Sequence, residues 1–262
     1  MTVDAALGKR LLEELPDIPR WLETRGPLLS GDCEVLGFVE EPLAFVVVDR
    51  PMRLASIGGE PAAEVIREAV EQVGESGDVL AQEDNREYVE RALPGWRAET
   101  AHLHLLADES ALAKAVPGSE VPRRHPGRVV LFRPDVRVVT YASLARAEGL
   151  SAELREELER ALLRWTVVAA HTEFGQLASF CYAAWPTESL WDVAVETLAP
   201  HRRQGHAAMS VKFLVDHMWQ QRKRPVWGAL ESNAASLALA KRLGFRPVDT
   251  LVVMHPPGYS PG

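Results

Sequence analysis

The chain has 262 residues, 47% hydrophobic and 25% charged, a balance that can bury one large core or two ordinary ones. A formal net charge of -8 argues against a nucleic-acid binder that relies on a chain-wide basic surface. Two cysteines, Cys33 and Cys181, are too few for a disulfide framework or a four-thiolate zinc site and suit a reducing cytoplasm. In chain order, the first residues mix acids with apolar residues and lack the apolar run of a signal peptide. Val35–Val39, Ala44–Val48 and Leu54–Ile57 are short, Val/Ile/Phe-bearing runs that predict strands. Pro61 opens a helical pattern with Ala62, Ile66, Ala69 and Val73 at helical spacing. Val79–Ala81 reads as a strand, and Asp84 or Asn85 can cap the helix that carries Tyr88, Val89 and Leu93. Trp96–Leu106 alternates as a strand again.

Pro and Gly are densest from Ala115 to Arg128, which reads as a linker. It divides the chain into residues 1–125 and 126–262. Beyond it, Val129–Phe132 and Val136–Tyr141 predict strands, and Ser151 caps an amphipathic helix with Leu154, Leu158, Leu162 and Trp165 on one face. Strands follow at Gln176–Trp185 and Trp191–Leu198, then a helix over Ala207–Gln221 and a strand over Pro225–Leu230. A helix from Asn233 to Leu243 stops at Gly244, and Asp249–Met254 closes the sheet. The fold class is mixed α/β, a central sheet flanked by helices. The order strand–helix–strand–helix–strand occurs over Arg53–Leu106 and again over Trp191–Met254. Leu93-Pro-Gly-Trp96 echoes Leu243-Gly-Phe245. Duplication and chance similarity both account for that echo.

The chemistry concentrates between Asp192 and Trp219. A strand ends near Leu198, a turn Ala199-Pro200-His201 follows, and a helix opens on Arg202-Arg203-Gln204-Gly205-His206-Ala207. Helix N-termini present unsatisfied N–H groups and the positive end of the dipole. Gly205 and Ala207 let an anion approach the backbone closely. Pro200–Arg224 carries Arg202, Arg203, Lys212, Arg222, Lys223 and Arg224 against Asp216 alone. That pattern reads as a phosphate or pyrophosphate site. His102 and His104 alternate beside Glu99 like metal ligands, but no third ligand follows at a metal spacing, so no metal is expected.

Arg202-x-x-Gly205-x-Ala207 after a strand resembles the acyl-CoA signature of the GNAT superfamily of N-acyltransferases. Asn233-Ala-Ala-Ser236, followed by Leu239-Ala-Lys-Arg-Leu-Gly-Phe245, resembles that superfamily's second motif. The resemblance covers residues 177–254 and is nearest a poorly characterised bacterial branch. It implies a GNAT-like second domain that binds acetyl-CoA; the α/β domain before it is either a degenerate copy of the same plan or a chance likeness to it. It also implies direct transfer of an acetyl group to the amine of a small-molecule acceptor in a ternary complex. The acidic balance suits a cationic amine. The backbone at Leu198 and Ala199 would pair with the pantetheine arm. The N–H groups from Arg203 through Gln204, Gly205 and His206 to Ala207 would cradle the pyrophosphate beside Arg202, and Asn233 would orient the pantetheine or the thioester side. Asp192 and Glu196, four residues apart on one strand face, are the candidate bases, with Glu196 preferred. Where the family often has a tyrosine acid this chain has Ala240; Tyr182, Tyr141 and Cys181 are the possible substitutes. The alternative reading is a non-catalytic acyl-CoA sensor or scaffold. Neither nucleic acid nor membrane is expected as a partner, and monomer and homodimer both remain open.

Overall fold

In the computed structural model, the described residues are 5–74, 77–107, 112, 127–132, 147–172 and 176–259. The linker at 115–128 lies largely outside them, as do the strand expected at 136–141 and Tyr141. The elements are α1 (Ala5–Glu14), α2 (Leu22–Ser30), β1 (Glu34–Val39), β2 (Ala44–Asp49), β3 (Leu54–Gly58), α3 (Ala63–Val73) and β4 (Asp78–Ala81). They continue with α4 (Arg86–Ala92), β5 (Arg97–Leu106), β6 (Gly127–Phe132), α5 (Ala152–Arg164), β7 (Val167–Thr172), β8 (Leu177–Ala184) and β9 (Leu190–Thr197). The last are α6 (His206–Trp219), β10 (Arg224–Leu230), α7 (Ala234–Arg242) and β11 (Phe245–His255). No helix of the described residues is long and apolar enough to cross a membrane.

Two compact units emerge. One comprises Met1–His104, Gly228–Leu237 and Pro247–Gly262; the other comprises Leu105–Trp227 and Ala238–Arg246. The first unit begins with the antiparallel strands β1, β2 and β3 (Leu36 opposite Val46, Val47 opposite Ser56). Parallel strands need a crossover, and α3 supplies it between β3 and β4 (Ala55 opposite Val79). β11 then runs antiparallel to β4, with Val253 opposite Leu80. β2 is buried along its whole length, because alternate side chains meet helices on opposite faces. Val46 and Val48 join Ile66, Ala69, Val73 and Val89 of α3 and α4. Phe45 and Val47 join Leu11 of α1, Leu15 just beyond its end, and Leu28 of α2. A strand covered on both sides reads as a continuous apolar run, and Ala44–Val48 does.

The second unit repeats the order. β6, β7, β8 and β9 form an antiparallel meander, and α6 crosses over to the parallel β10 (Trp191 opposite Pro225). β7 was not expected. Its short apolar run follows the Ser151-capped helix without Gly or Pro, and periodicity cannot separate such a run from a helix. The backbone turns extended at Trp165 (ψ 167°), and β-branched Thr166, Val167 and Val168 favour that conformation. The Ser151 cap is as expected, its Oγ accepting the Leu154 N–H at 3.2 Å.

Candidate functional site

β9 pairs with β8 from Asp192 (opposite Ala184) to Thr197 (opposite Ser179). Its ladder to β10 runs only from Leu190 to Asp192, so the pairing of the two parallel strands stops at Asp192. The chain leaves β9 through Leu198, whose N–H donates to the Ala178 carbonyl at 3.0 Å, and makes one 3-10 turn over Ala199–His201.

The following loop holds itself in place with its own side chains. Arg202 folds back, its Nε donating to the Thr197 carbonyl at 3.1 Å and its Nη2 lying 3.5 Å from Glu196 Oε1. Gln204 Nε2 donates to the Pro200 carbonyl at 3.0 Å. Arg203 and Gly205 both adopt left-handed backbone, at φ 62° and 88°. Such conformers turn successive N–H groups into an anion-binding concavity. Gly205 is the N-cap of the 14-residue α6, and no side chain caps that end. A Cβ placed on Gly205 would meet nothing within 4 Å. Glycine is therefore demanded here by backbone conformation, and the space in front of it is open. His206 is buried and its ring stands edge-on to His201 at 6.1 Å.

Asp192, Ala194 and Glu196 share a face of β9 with Ala184, Tyr182 and Phe180, their partners on β8. Asp192 and Glu196 are both half-buried. The Glu196–Arg202 pair is open to solvent, with side chains 32% and 63% exposed. The Tyr182 hydroxyl donates to Glu157 Oε1 at 2.7 Å, and its ring stacks on Trp165 at 5.4 Å. Burial, then the Glu157 carboxylate, then Asp192 push the Tyr182 phenol well above its ordinary range. Burial, with Asp192 adding, likewise raises the Cys181 thiol, which makes it an inert core thiol.

Asn233 stands at the start of α7, its Oδ1 accepting the Ser236 N–H at 3.0 Å. Ala240 is fully buried on the same helix. His104 Nδ1 lies 3.3 Å from the His102 carbonyl, and among the described residues no three His, Cys, Asp or Glu side chains converge as metal ligands. Glu99 turns to another task. Its Oε1 accepts the Ser232 N–H at 3.0 Å and its Oε2 lies 3.3 Å from His255 Nε2. Sequence reasoning missed this partnership, since nothing local ties positions 99, 232 and 255 together.

Residues 167–254 match the family model for the GNAT acetyltransferase, a likeness of a segment of the chain. Over nearly its whole length the chain also resembles a GCN5-related N-acetyltransferase-like protein from Streptococcus suis. That match has TM-score 0.70 and 16% identity, covering 96% of this chain and 98% of that one. An acetyltransferase from the GNAT family of Colwellia psychrerythraea matches with TM-score 0.52 and 13% identity, over 97% of this chain and 98% of the other. A tandem GNAT protein from the clavulanic acid biosynthesis pathway matches with TM-score 0.52 and 16% identity, over 83% and 79%. At these identities the likeness is one of fold. No curated protein sequence matches.

Proposed function

We propose that this chain, with its GNAT acetyltransferase segment at 167–254, is an acyltransferase that moves an acetyl group from acetyl-CoA to the amine of a small-molecule acceptor. The observation that carries the reading is the N-terminus of α6. It is uncapped, introduced by left-handed Gly205, and open in front of the position where a Cβ would stand. These residues fit a pyrophosphate. The N–H groups from Arg203 to Ala207 would hold it, each charge-assisted bond contributing about 1.5–3 kcal/mol. Leu198 and Ala199 would present backbone to the pantetheine arm, and Asn233 would orient its far end. When bound, acetyl-CoA supplies an activated acyl carbonyl.

The chain's own task is to remove a proton from the attacking ammonium and to stabilise the oxyanion through backbone N–H groups. The C–N bond forms as the C–S bond breaks. Of the two carboxylates, Glu196 and Asp192, we take Asp192 as the base for its place in the sheet. Asp192 sits where the β9–β10 ladder ends and the two parallel strands part, whereas Glu196 lies four residues further along β9. The leaving thiolate, whose thiol has an ordinary pKa of about 8.5, would take its proton from water, which removes the need for a tyrosine at Ala240. Residues 1–125 and 126–262 then act as a supporting and a catalytic half. Two buried cysteines outside any disulfide suit a cytoplasmic location.

A second reading, an acyl-CoA sensor without turnover, draws on Ala240 and on the engaged hydroxyl of Tyr182. Calorimetric titration of acetyl-CoA into wild type and Gly205→Glu tests the cofactor site. Binding at about micromolar Kd, lost in a folded Gly205→Glu, is expected; no binding by wild type removes both readings. Release of free thiol with an amine panel separates enzyme from sensor. Asp192→Asn should slow turnover by about 10²-fold or more, and Glu196→Gln by less than about tenfold; the reverse order would return the base to Glu196.

A further inference from the structure

Glu99 lies on β5 in the first half of the chain, yet its carboxylate reaches the short connection between β10 and α7 that carries Asn233. Oε1 accepts the Ser232 N–H at 3.0 Å. The neighbouring Glu231 N–H donates to the Thr100 carbonyl at 2.9 Å, so two successive peptide N–H groups of the connection are fixed by two successive residues of β5. The Asn233 N–H closes the turn onto the Leu230 carbonyl at 2.9 Å. Behind the carboxylate, Oε2 faces His255 Nε2 at 3.3 Å and Arg97 Nη2 at 3.4 Å. The Glu99 and His255 side chains are only 11% and 5% exposed, and the His255 ring is stacked on Tyr259 at 4.1 Å. Hydrogen bonds from Ser232 hold the Glu99 carboxyl below its ordinary range, with His255 and Arg97 adding to them.

Glu231, Ser232 and Asn233 are themselves exposed, so little packing of their own fixes the turn. Its position is set instead by hydrogen bonds, of which the one to a carboxylate is the strong kind. We infer that Glu99 is a positioning residue for acyl-CoA binding: by anchoring the Glu231–Asn233 turn it sets the Asn233 side chain. This role rests on the proposed binding of acyl-CoA by Asn233.

The test compares Glu99→Ala, Glu99→Gln and Glu99→Asp by acetyl-CoA calorimetry and by amide hydrogen exchange over 232–236. Gln keeps an oxygen that can accept the Ser232 N–H, while Asp keeps the charge but falls one methylene short. Glu99→Ala and Glu99→Asp should bind acetyl-CoA about tenfold more weakly and exchange faster over 232–236. Glu99→Gln should stay within about threefold of wild type on the same scale. Should Glu99→Ala fail to fold, the contrast between Asp and Gln carries the result. Equal affinity in all variants, or equal loss in Gln and Ala, would overturn the inference. Absence of binding by wild type would instead remove the cofactor reading, and the positioning role with it.

Discussion

Tyr182 is the described hydroxyl that the sequence offered as a replacement for the tyrosine missing at Ala240. To serve as a general acid it would have to leave a phenolate beside Glu157 and Asp192, inside a buried stack with Trp165. Each of those neighbours favours the neutral form, so the donor is weaker than a free tyrosine. Its proton is already engaged with Glu157 at 2.7 Å. Tyr182→Phe should therefore keep turnover, read as thiol release, within about threefold of wild type. It should lower stability by about 1–2 kcal/mol through the lost hydrogen bond to a carboxylate. Turnover slowed by about 10²-fold or more with the fold intact would assign the proton to Tyr182 after all. Gly205 is the opposite kind of residue. The sequence singles it out because a glycine opens a helix just after a strand and beside two arginines. What the sequence could not show was that Arg202 folds back onto Thr197 and Glu196.

The same strand–helix–strand plan ends differently in the first unit. There β3 and β4 are parallel across α3, as β9 and β10 are across α6. The start of α3 has an alanine N-cap and Glu64 in its first turn, with no left-handed glycine at the cap. The ends of β3 and β4 are tied together by Asn85, which is buried. Its Nδ2 donates to the Gly59 carbonyl at 2.7 Å while its Oδ1 accepts the Gln82 N–H at 2.9 Å. Tyr88 donates to the Pro61 carbonyl at 2.8 Å beside it. An acidic first turn repels a pyrophosphate, and the amide closes the fork from which a pantetheine arm would hang. Calorimetry should accordingly give one acetyl-CoA per chain. Asn85→Ala should cost about 1–3 kcal/mol in urea denaturation without adding a second site; a stoichiometry of two would contradict this. The echo between halves was legible where glycine ends a helix, since Gly95 and Gly244 both adopt left-handed backbone, at φ 87° and 91°. The first two helices were not legible. α2 contains Gly26 and Pro27, both poor helix formers, and owes its place to tertiary bonds such as Arg25 Nη1 to the Leu12 carbonyl at 2.8 Å.

Across the whole molecule the decisive polar pairs join positions far apart in the chain, which is why local pattern could not reveal them. Arg20 meets Asp249 through two hydrogen bonds, at 2.8 and 2.7 Å, across 229 positions, and Glu99 meets Ser232 across 133. Both acids are held below the ordinary carboxylate range, Asp249 chiefly by Arg20 and Glu99 chiefly by Ser232. A depressed folded-state pKa gives stability that is complete above the unfolded value of about 4 and is lost as pH falls through the folded value. Acid also converts the chain from its formal charge of -8 to a self-repelling cation. The contribution of these two acids should thus be level from about pH 5 to neutrality and fall below pH 4. Asp249→Asn separates the two causes. With the Arg20 side chain 39% exposed, solvent screening limits the pair to about 1 kcal/mol at pH 7. That difference from wild type should shrink as pH falls below about 4, as Asp249 takes up its proton in the wild type. Urea midpoints at pH 7, 5 and 3 read the trend directly. A deficit that stays constant over the series would mean that Asp249 contributes through packing, and that its charge does not stabilise the fold.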